Sequence, residues 1–335
     1  MKRIPSLDGL RAIAVSLVLV GHLAYRGYLP AYLSTYAGTG VRIFFVISGY
    51  LITTILLQEQ SRTSSIDLRQ FYIRRAYRIL PAAGVFILSA IAFYWRDLHW
   101  YEMAAATFYV MDFAKAPPWM LAHLWSVSVE EQFYFLWPSL LKRFSRYRVM
   151  ILSAAVMVAP MYIALCYHLK VPRARYGTFL SVVDTLAIGC LLAIFSSKIP
   201  KIRSSLALLM LATVVLVPFF PTGIVPARAV LYLFVLSPLM YFSMAGLLLH
   251  VVQTPYRILN IAPVVWLGRL SYSLYLWQQP FFFNPFKPPA YRLLFGIVLA
   301  CGSYYLVEKP CLKLREKRAP GAWSPTSDFA TPPKC

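Results

Sequence analysis

Apolar runs of roughly 17 to 25 residues recur along the whole chain, separated by short polar segments, and that is the length a helix needs to cross a bilayer. Within lipid every backbone polar group must be satisfied internally, which a continuous apolar run achieves as a helix. The pattern predicts about ten spans, near residues 10–29, 40–57, 79–95, 125–141, 149–168, 179–196, 205–220, 228–250, 263–283 and 291–307. The expected fold class is therefore all-α, a polytopic membrane helix bundle with no internal repeat. Pro81 falls at the start of the third run, where proline is tolerated, and Glu308-Lys309-Pro310 is expected to end the tenth. The stretch 96–124 is too polar at its ends, and too proline-rich at Pro117-Pro118, for a clean span. It reads as an outer-face helix or a re-entrant piece. A transmembrane domain over 1–310 is then followed by a basic cytoplasmic tail, 311–335, whose Pro, Ser and Thr content predicts disorder.

Composition agrees: 59% of the 335 residues are hydrophobic and only 13% charged, too apolar for an ordinary soluble domain. A net charge of +21 raises the question of nucleic acid, but Lys and Arg are spread between the apolar runs and no nucleic-acid motif accompanies them. Their placement follows the positive-inside rule instead. Arg62, Arg69, Arg74, Arg75 and Arg78 face only Glu59 and Asp67 across one loop, which puts that loop in the cytoplasm and the amino terminus with it. Lys142, Arg143, Arg146 and Arg148 mark a second inner loop, and ten spans return the carboxyl terminus to the same side. Lys170, Arg173 and Arg175, on an outer loop, run against the pattern. Lys2-Arg3 before an apolar run resembles a signal peptide, yet Asp8 and Arg11 interrupt it and no small-residue cleavage site follows, so the first helix is expected to remain. The five cysteines show no metal-ligand spacing, and no metal is expected.

Candidate chemistry lies where polar groups interrupt the apolar runs. Arg11 and His22 are nearly three helical turns apart, on one stripe and about 16 Å along the axis, with Arg11 at a membrane mouth and His22 near mid-span. A neutral buried imidazole suits a general base, whereas a histidine bonded to a neighbouring helix would be packing. Asp8 pairs with Arg11 or simply stabilises the helix start. Glu130 sits well within an apolar run and needs a proton, a cation or water; Glu131 points about 100° away and is not expected to share its site. Arg74, Arg75 and Arg78 present guanidinium groups on one helical turn, which suits bidentate phosphate recognition and equally an anchor on anionic lipid.

Several motifs occur in order: Leu7-Asp8-Gly9-Leu10-Arg11-Ala12 with His22, Gly40-Val41 through Ile52, Arg75-Ala76-Tyr77-Arg78-Ile79-Leu80-Pro81, His123-Leu124-Trp125-Ser126 through Glu130-Glu131-Gln132-Phe133-Tyr134, Leu267 through Trp277, and Ser303 through Pro310. Together they resemble the acyltransferase-3 family of multi-spanning membrane acyltransferases, which move acyl groups, commonly acetyl, onto sugars of surface polysaccharides and related acceptors. The resemblance implies a bacterial inner-membrane O-acyltransferase taking acetyl from cytoplasmic acetyl-CoA to a glycan hydroxyl. It implies that His22 is the essential histidine, that Arg75 and Arg78 form the two-arginine motif near the donor, and that Asp8, Arg11 and Glu130 belong to the polar core. Direct attack and a covalent acyl relay both fit. Two positions depart from the family pattern: Arg42 stands where many relatives have Asp, and Gln278 where many have His. Many relatives also carry a fused extracytoplasmic hydrolase-like domain; the stretch after Pro310 is too short for one, so transfer is expected within or beside the membrane unit or with a separate partner. The rival from another class is a transporter or flippase of a lipid-linked sugar, with His22 and Glu130 as a polar relay.

Overall fold

A computed structural model describes residues 5–171, 177–220, 226–281 and 289–318, and among them every regular element is helical. In chain order these are α1 (Pro5–Tyr25), α2 (Tyr36–Thr63), α3 (Leu68–Tyr94), α4 (Trp100–Thr107), α5 (Trp119–Ala122), α6 (Leu124–Arg143) and α7 (Arg148–His168). They continue as α8 (Phe179–Phe195), α9 (Ser204–Leu216), α10 (Pro226–Leu231), α11 (Ser237–Gln253), α12 (Ala262–Phe281), α13 (Pro289–Gly302) and α14 (Lys309–Arg318). Six stretches are long and apolar enough to cross a membrane: Ser6–Tyr25, Ala31–Thr63, Leu68–Tyr94, Ser145–His168, Ala227–Gln253 and Leu293–Arg315. Phe179–Phe195 and Ser204–Phe219 are shorter apolar helices. The protein is thus an all-α, multi-pass membrane protein. Each predicted run falls on a helix, but α6 and α12, though 20 residues long, are more polar than the six.

Three boundaries differ from expectation, each for a local reason. The first helix ends at Tyr25 because Gly27 adopts φ 78°, with Gly27 N–H donating to Ala24 O and Tyr28 N–H to Leu23 O. That pairing is the glycine-terminated helix end in which a left-handed residue closes the last turn. The third helix begins at Leu68, well before Pro81, because the Asp67 side chain accepts a 3.0 Å bond from Gln70 N–H and caps it. Pro81 therefore lies inside α3. The 96–124 stretch forms only short helices, and its loop is tied to α6: Gln132 Nε2 donates to Asp112 Oδ1 (2.8 Å) and Tyr109 O (3.1 Å). Gln132 is about two turns into α6, so the loop lies alongside the first half of that helix. Finally, α13 does not stop at Glu308-Lys309-Pro310. A π-helical turn, Ser303–Glu308, carries the chain into α14, so Pro310 lies within a continuous helical run, just after the turn where the backbone pairing widens. The remainder of the expected tail, 319–335, and Arg173 and Arg175 of the contrary loop lie outside the described residues.

The chain divides into two compact units, one formed by Asp67–Phe135 and the segment from Arg269, the other by Pro5–Ile66 and Leu136–Gly268. In the second unit, small residues let backbones touch, the usual device for helices in lipid. Gly21 abuts Ala37, and Gly40 abuts the Ala14 carbonyl, joining α1 to α2. Gly49 lies against the Leu186 carbonyl and Gly189 against that of Val46, so α2 and α8 meet through reciprocal glycines. In the first unit α3 and α6 run antiparallel, with Tyr72 Oη donating to Phe135 O at 2.8 Å. There Tyr272 of α12 donates its hydroxyl proton to Ile79 O of α3.

Candidate functional site

The sequence-predicted residues fall into two groups, one in each unit. Asp8, Arg11 and His22 all lie on α1. Asp8 is buried, and its Oδ1 is 3.8 Å from Arg11 Nη1, one turn on. The Asp8 carbonyl is covered by Gly268, where any Cβ would collide with it, and a Cβ at Gly9 would press, less severely, on the Leu259 carbonyl. This end of α1 is therefore held by backbone contact with the start of α12 and the turn before it. His22 is half-buried in the last turn of α1, not at its middle, because the helix starts and ends earlier than its apolar run suggests. Its neighbour Gly21 rests on Ala37.

The second group is built on α3 and α6. Arg74, Arg75 and Arg78 are half-buried and lie inside α3, beyond its first turn, rather than at a helix entrance. Arg75 turns inward: its guanidinium carbon stands 3.5 Å from the centroid of the Tyr134 ring, and its Nε is 3.9 Å from Glu131 Oε1. A cation over an aromatic face is favoured electrostatically, the more so when desolvated. Glu130 also lies within electrostatic reach of Arg75, as does Tyr272. Both adjacent carboxylates thus feel the same guanidinium, a coupling that their divergence of about 100° did not suggest. Glu131, rather than Glu130, makes the close approach. Spacing held the signal: Glu131 and Tyr134 are three residues apart and share a helix face. Tyr109 closes the group. Its backbone sits at φ 55°, a left-handed conformation uncommon outside glycine, and burial, then the charge of Glu131, pushes its phenol above the ordinary range.

Two further polar clusters occupy the same unit. His123 Nδ1 is 3.1 Å from Gln279 Oε1 and its Nε2 3.1 Å from Leu276 O, while Trp119 Nε1 donates to Gln279 O. Ser126 Oγ meets Tyr275 Oη at 2.6 Å. Glu308, in the π-helical turn, accepts a 3.0 Å bond from Ser273 Oγ. These bonds explain why α6 and α12 are the more polar helices: their inward faces carry an interhelical network instead of apolar packing. Sequence reasoning quoted His123 only as a member of a motif and read Glu308 as a helix-terminal carboxylate. Among the described residues, no three His, Cys, Asp or Glu side chains gather closely enough to hold a metal ion.

In chemical terms the unit built on α3 offers a desolvated cation whose neighbours are two carboxylates and two phenols, and α1 offers an imidazole with an Asp–Arg pair at the other end of its helix. A family model described as an acyltransferase domain matches residues 4–307. A peptidoglycan O-acetyltransferase, OatA, of Listeria monocytogenes is 31% identical over 321 residues, covering 83% of this chain and 49% of that protein. The putative peptidoglycan O-acetyltransferase YrhL of Bacillus subtilis is 30% identical, covering 92% of this chain and 54% of its own length. The O-acetyltransferase OatA of Staphylococcus aureus is 30% identical, with 92% and 57% covered. The chain spans about half the length of the curated relatives it matches. No solved structure gives a significant match.

Proposed function

The chain belongs to the acyltransferase family whose model it matches, and from that premise we propose that it is a membrane O-acyltransferase carrying acetyl from cytoplasmic acetyl-CoA to a hydroxyl of a surface or secreted glycan. The names of the relatives add the sugars of peptidoglycan to the candidate acceptors. The acyltransferase domain covers 1–310 with a basic cytoplasmic tail, 311–335, after it; about ten helices span the bacterial inner membrane, with both ends of the chain in the cytoplasm.

Arg75 and Arg78, with Arg74 beside them, bind the phosphates of acetyl-CoA, since a guanidinium fork matches phosphate oxygens. His22 acts as general base: the acceptor oxygen bonds to the thioester carbonyl carbon, the carbon–sulfur bond breaks, and His22 takes the hydroxyl proton and returns it to the departing thiolate. Asp8 and Arg11 fix the entry of α1, and Glu130 balances the charge of the arginine group. The observation that carries the reading is a family match running unbroken from α1 through the α3 arginines to α13, so that it takes in every residue named here.

The test is transfer of labelled acetyl from acetyl-CoA to muropeptides and oligosaccharides by purified protein in liposomes. His22→Ala should lower transfer by about 100-fold or more, the usual contribution of a general base, with expression and membrane insertion unchanged. Arg75→Ala and Arg78→Ala should each raise the KM for acetyl-CoA. Substantial transfer by the His22 variant removes its role as base; unchanged donor affinity in both arginine variants removes the phosphate site.

A further inference from the structure

The Arg75–Glu131 contact is unfinished. At 3.9 Å the two groups attract, yet Arg75 Nε and Glu131 Oε1 are both buried and neither has a hydrogen-bond partner. Native proteins leave few buried polar atoms unsatisfied, and an incompletely bonded buried ion pair is costly because desolvation is not offset. The guanidinium is held back from the carboxylate by the Tyr134 ring, whose centroid lies 3.5 Å from its central carbon. Nor does another described donor complete Glu131 from the side of Gln132, whose amide is engaged by Asp112 and the Tyr109 carbonyl. An open pair between two fixed groups fits a resting state that an incoming ligand completes.

We propose that Glu131 is the resident counter-ion of Arg75 and that the anionic part of the acyl donor displaces it, taking the guanidinium when it binds and handing it back when coenzyme A leaves. This rests on the reading of Arg75 as a donor-binding residue and adds a positioning residue to it. Glu131 holds the cation in place on the Tyr134 ring while the site is empty. Its negative charge, with that of Glu130 nearby, opposes the arriving phosphate and so speeds release. The roles of the adjacent carboxylates then separate: Glu131 competes with the ligand for Arg75, and Glu130 is farther from the exchange.

The proposal fixes the sign of an effect that a merely structural glutamate would not produce. Glu131→Gln keeps the shape and removes the competing charge, so acetyl-CoA should bind the detergent-solubilised full chain about fivefold tighter, the size expected for losing one weak like-charge repulsion. Turnover should fall as release slows, giving a lower KM together with a lower kcat. Combined with Arg75→Ala the gain should vanish, because nothing remains for Glu131 to hold. Calorimetric titration with acetyl-CoA measures both. Affinity that is unchanged or weaker in Glu131→Gln overturns the exchange, as does a gain that persists without Arg75; should Glu131→Gln fold poorly, Glu131→Ala is read by the same criteria. Wild-type protein whose acetyl-CoA affinity is indifferent to Arg75→Ala instead overturns the donor-site reading itself.

Discussion

At the scale of single residues, the charges inside apolar runs tell most. Arg42 interrupts the second run, and its Nη1 donates to Asp184 Oδ1 at 3.1 Å and to Thr185 Oγ1 at 3.0 Å, with the guanidinium 4.9 Å from the Tyr241 ring. Removing one partner of such a pair leaves the other charge buried and uncompensated, which costs about 3–5 kcal/mol. Arg42→Leu or Asp184→Leu should therefore lower the thermal midpoint in detergent sharply, while the double variant Arg42→Leu/Asp184→Leu should recover most of the loss. A double variant as unstable as the sum of the singles would mean that the pair is not what the cost is for. The sequence showed Arg42 as a departure from the family pattern, but Asp184 lies 142 residues away and no local pattern joins them. The clue was chemical: one lone cation and one lone anion, each in an otherwise apolar run, require each other. The same reasoning applies to the arginine group, where α3 and its cationic turn were legible and the choice between Glu130 and Glu131 was not. Two adjacent helical residues differ only in direction, and direction is settled by what the neighbouring helix presents.

At the scale of elements, the apolar runs located the helices well because lipid leaves the backbone no alternative, and they located the ends poorly. Ends are set by caps, and caps are polar: Asp67 begins α3 among residues that read as loop, and Gly27 stops α1 inside a stretch that still reads as apolar. Those shifts move the chemistry, taking His22 from mid-helix to the last turn and the arginines from the start of α3 to its interior. Packing between helices was less visible still, since Gly49 and Gly189 look alike to any propensity scale. Each faces a carbonyl of the opposite helix, and a methyl group at either would force α2 and α8 apart. Overpacking of this kind costs about 1–3 kcal/mol. Gly189→Ala should lower the thermal midpoint, whereas Gly38→Ala, where nothing lies within 4 Å of the added methyl, should not. Equal effects at the two positions would deny the close approach its importance.

For the whole molecule, helix length and charge together set the orientation. At 28 and 27 residues, α2 and α3 are about 40 Å long, some 10 Å more than the hydrocarbon core. The twenty-residue basic loop expected between them is in fact the short turn 64–67, because both helices run on through it. Their surplus turns carry Arg62, Arg69, Arg74 and Arg75, so the positive-inside rule predicts that the excess length lies on the cytoplasmic side. On that orientation Leu68 would be the cytoplasmic tip of α3, and Arg75, about 10 Å further along, would stand near the inner edge of the core, which is what the proposed donor site requires. The turn between α1 and α2, which includes exposed Ala31, must correspondingly face outward. In a cysteine-free background, Ala31→Cys should react with a membrane-impermeant maleimide on intact cells, and Ser65→Cys, exposed in the turn 64–67, should react only after the membrane is opened. The reverse labelling would put the arginine group on the side where no acyl-coenzyme A exists, and with it the donor site would fail whatever the variants at Arg75 and Glu131 had shown.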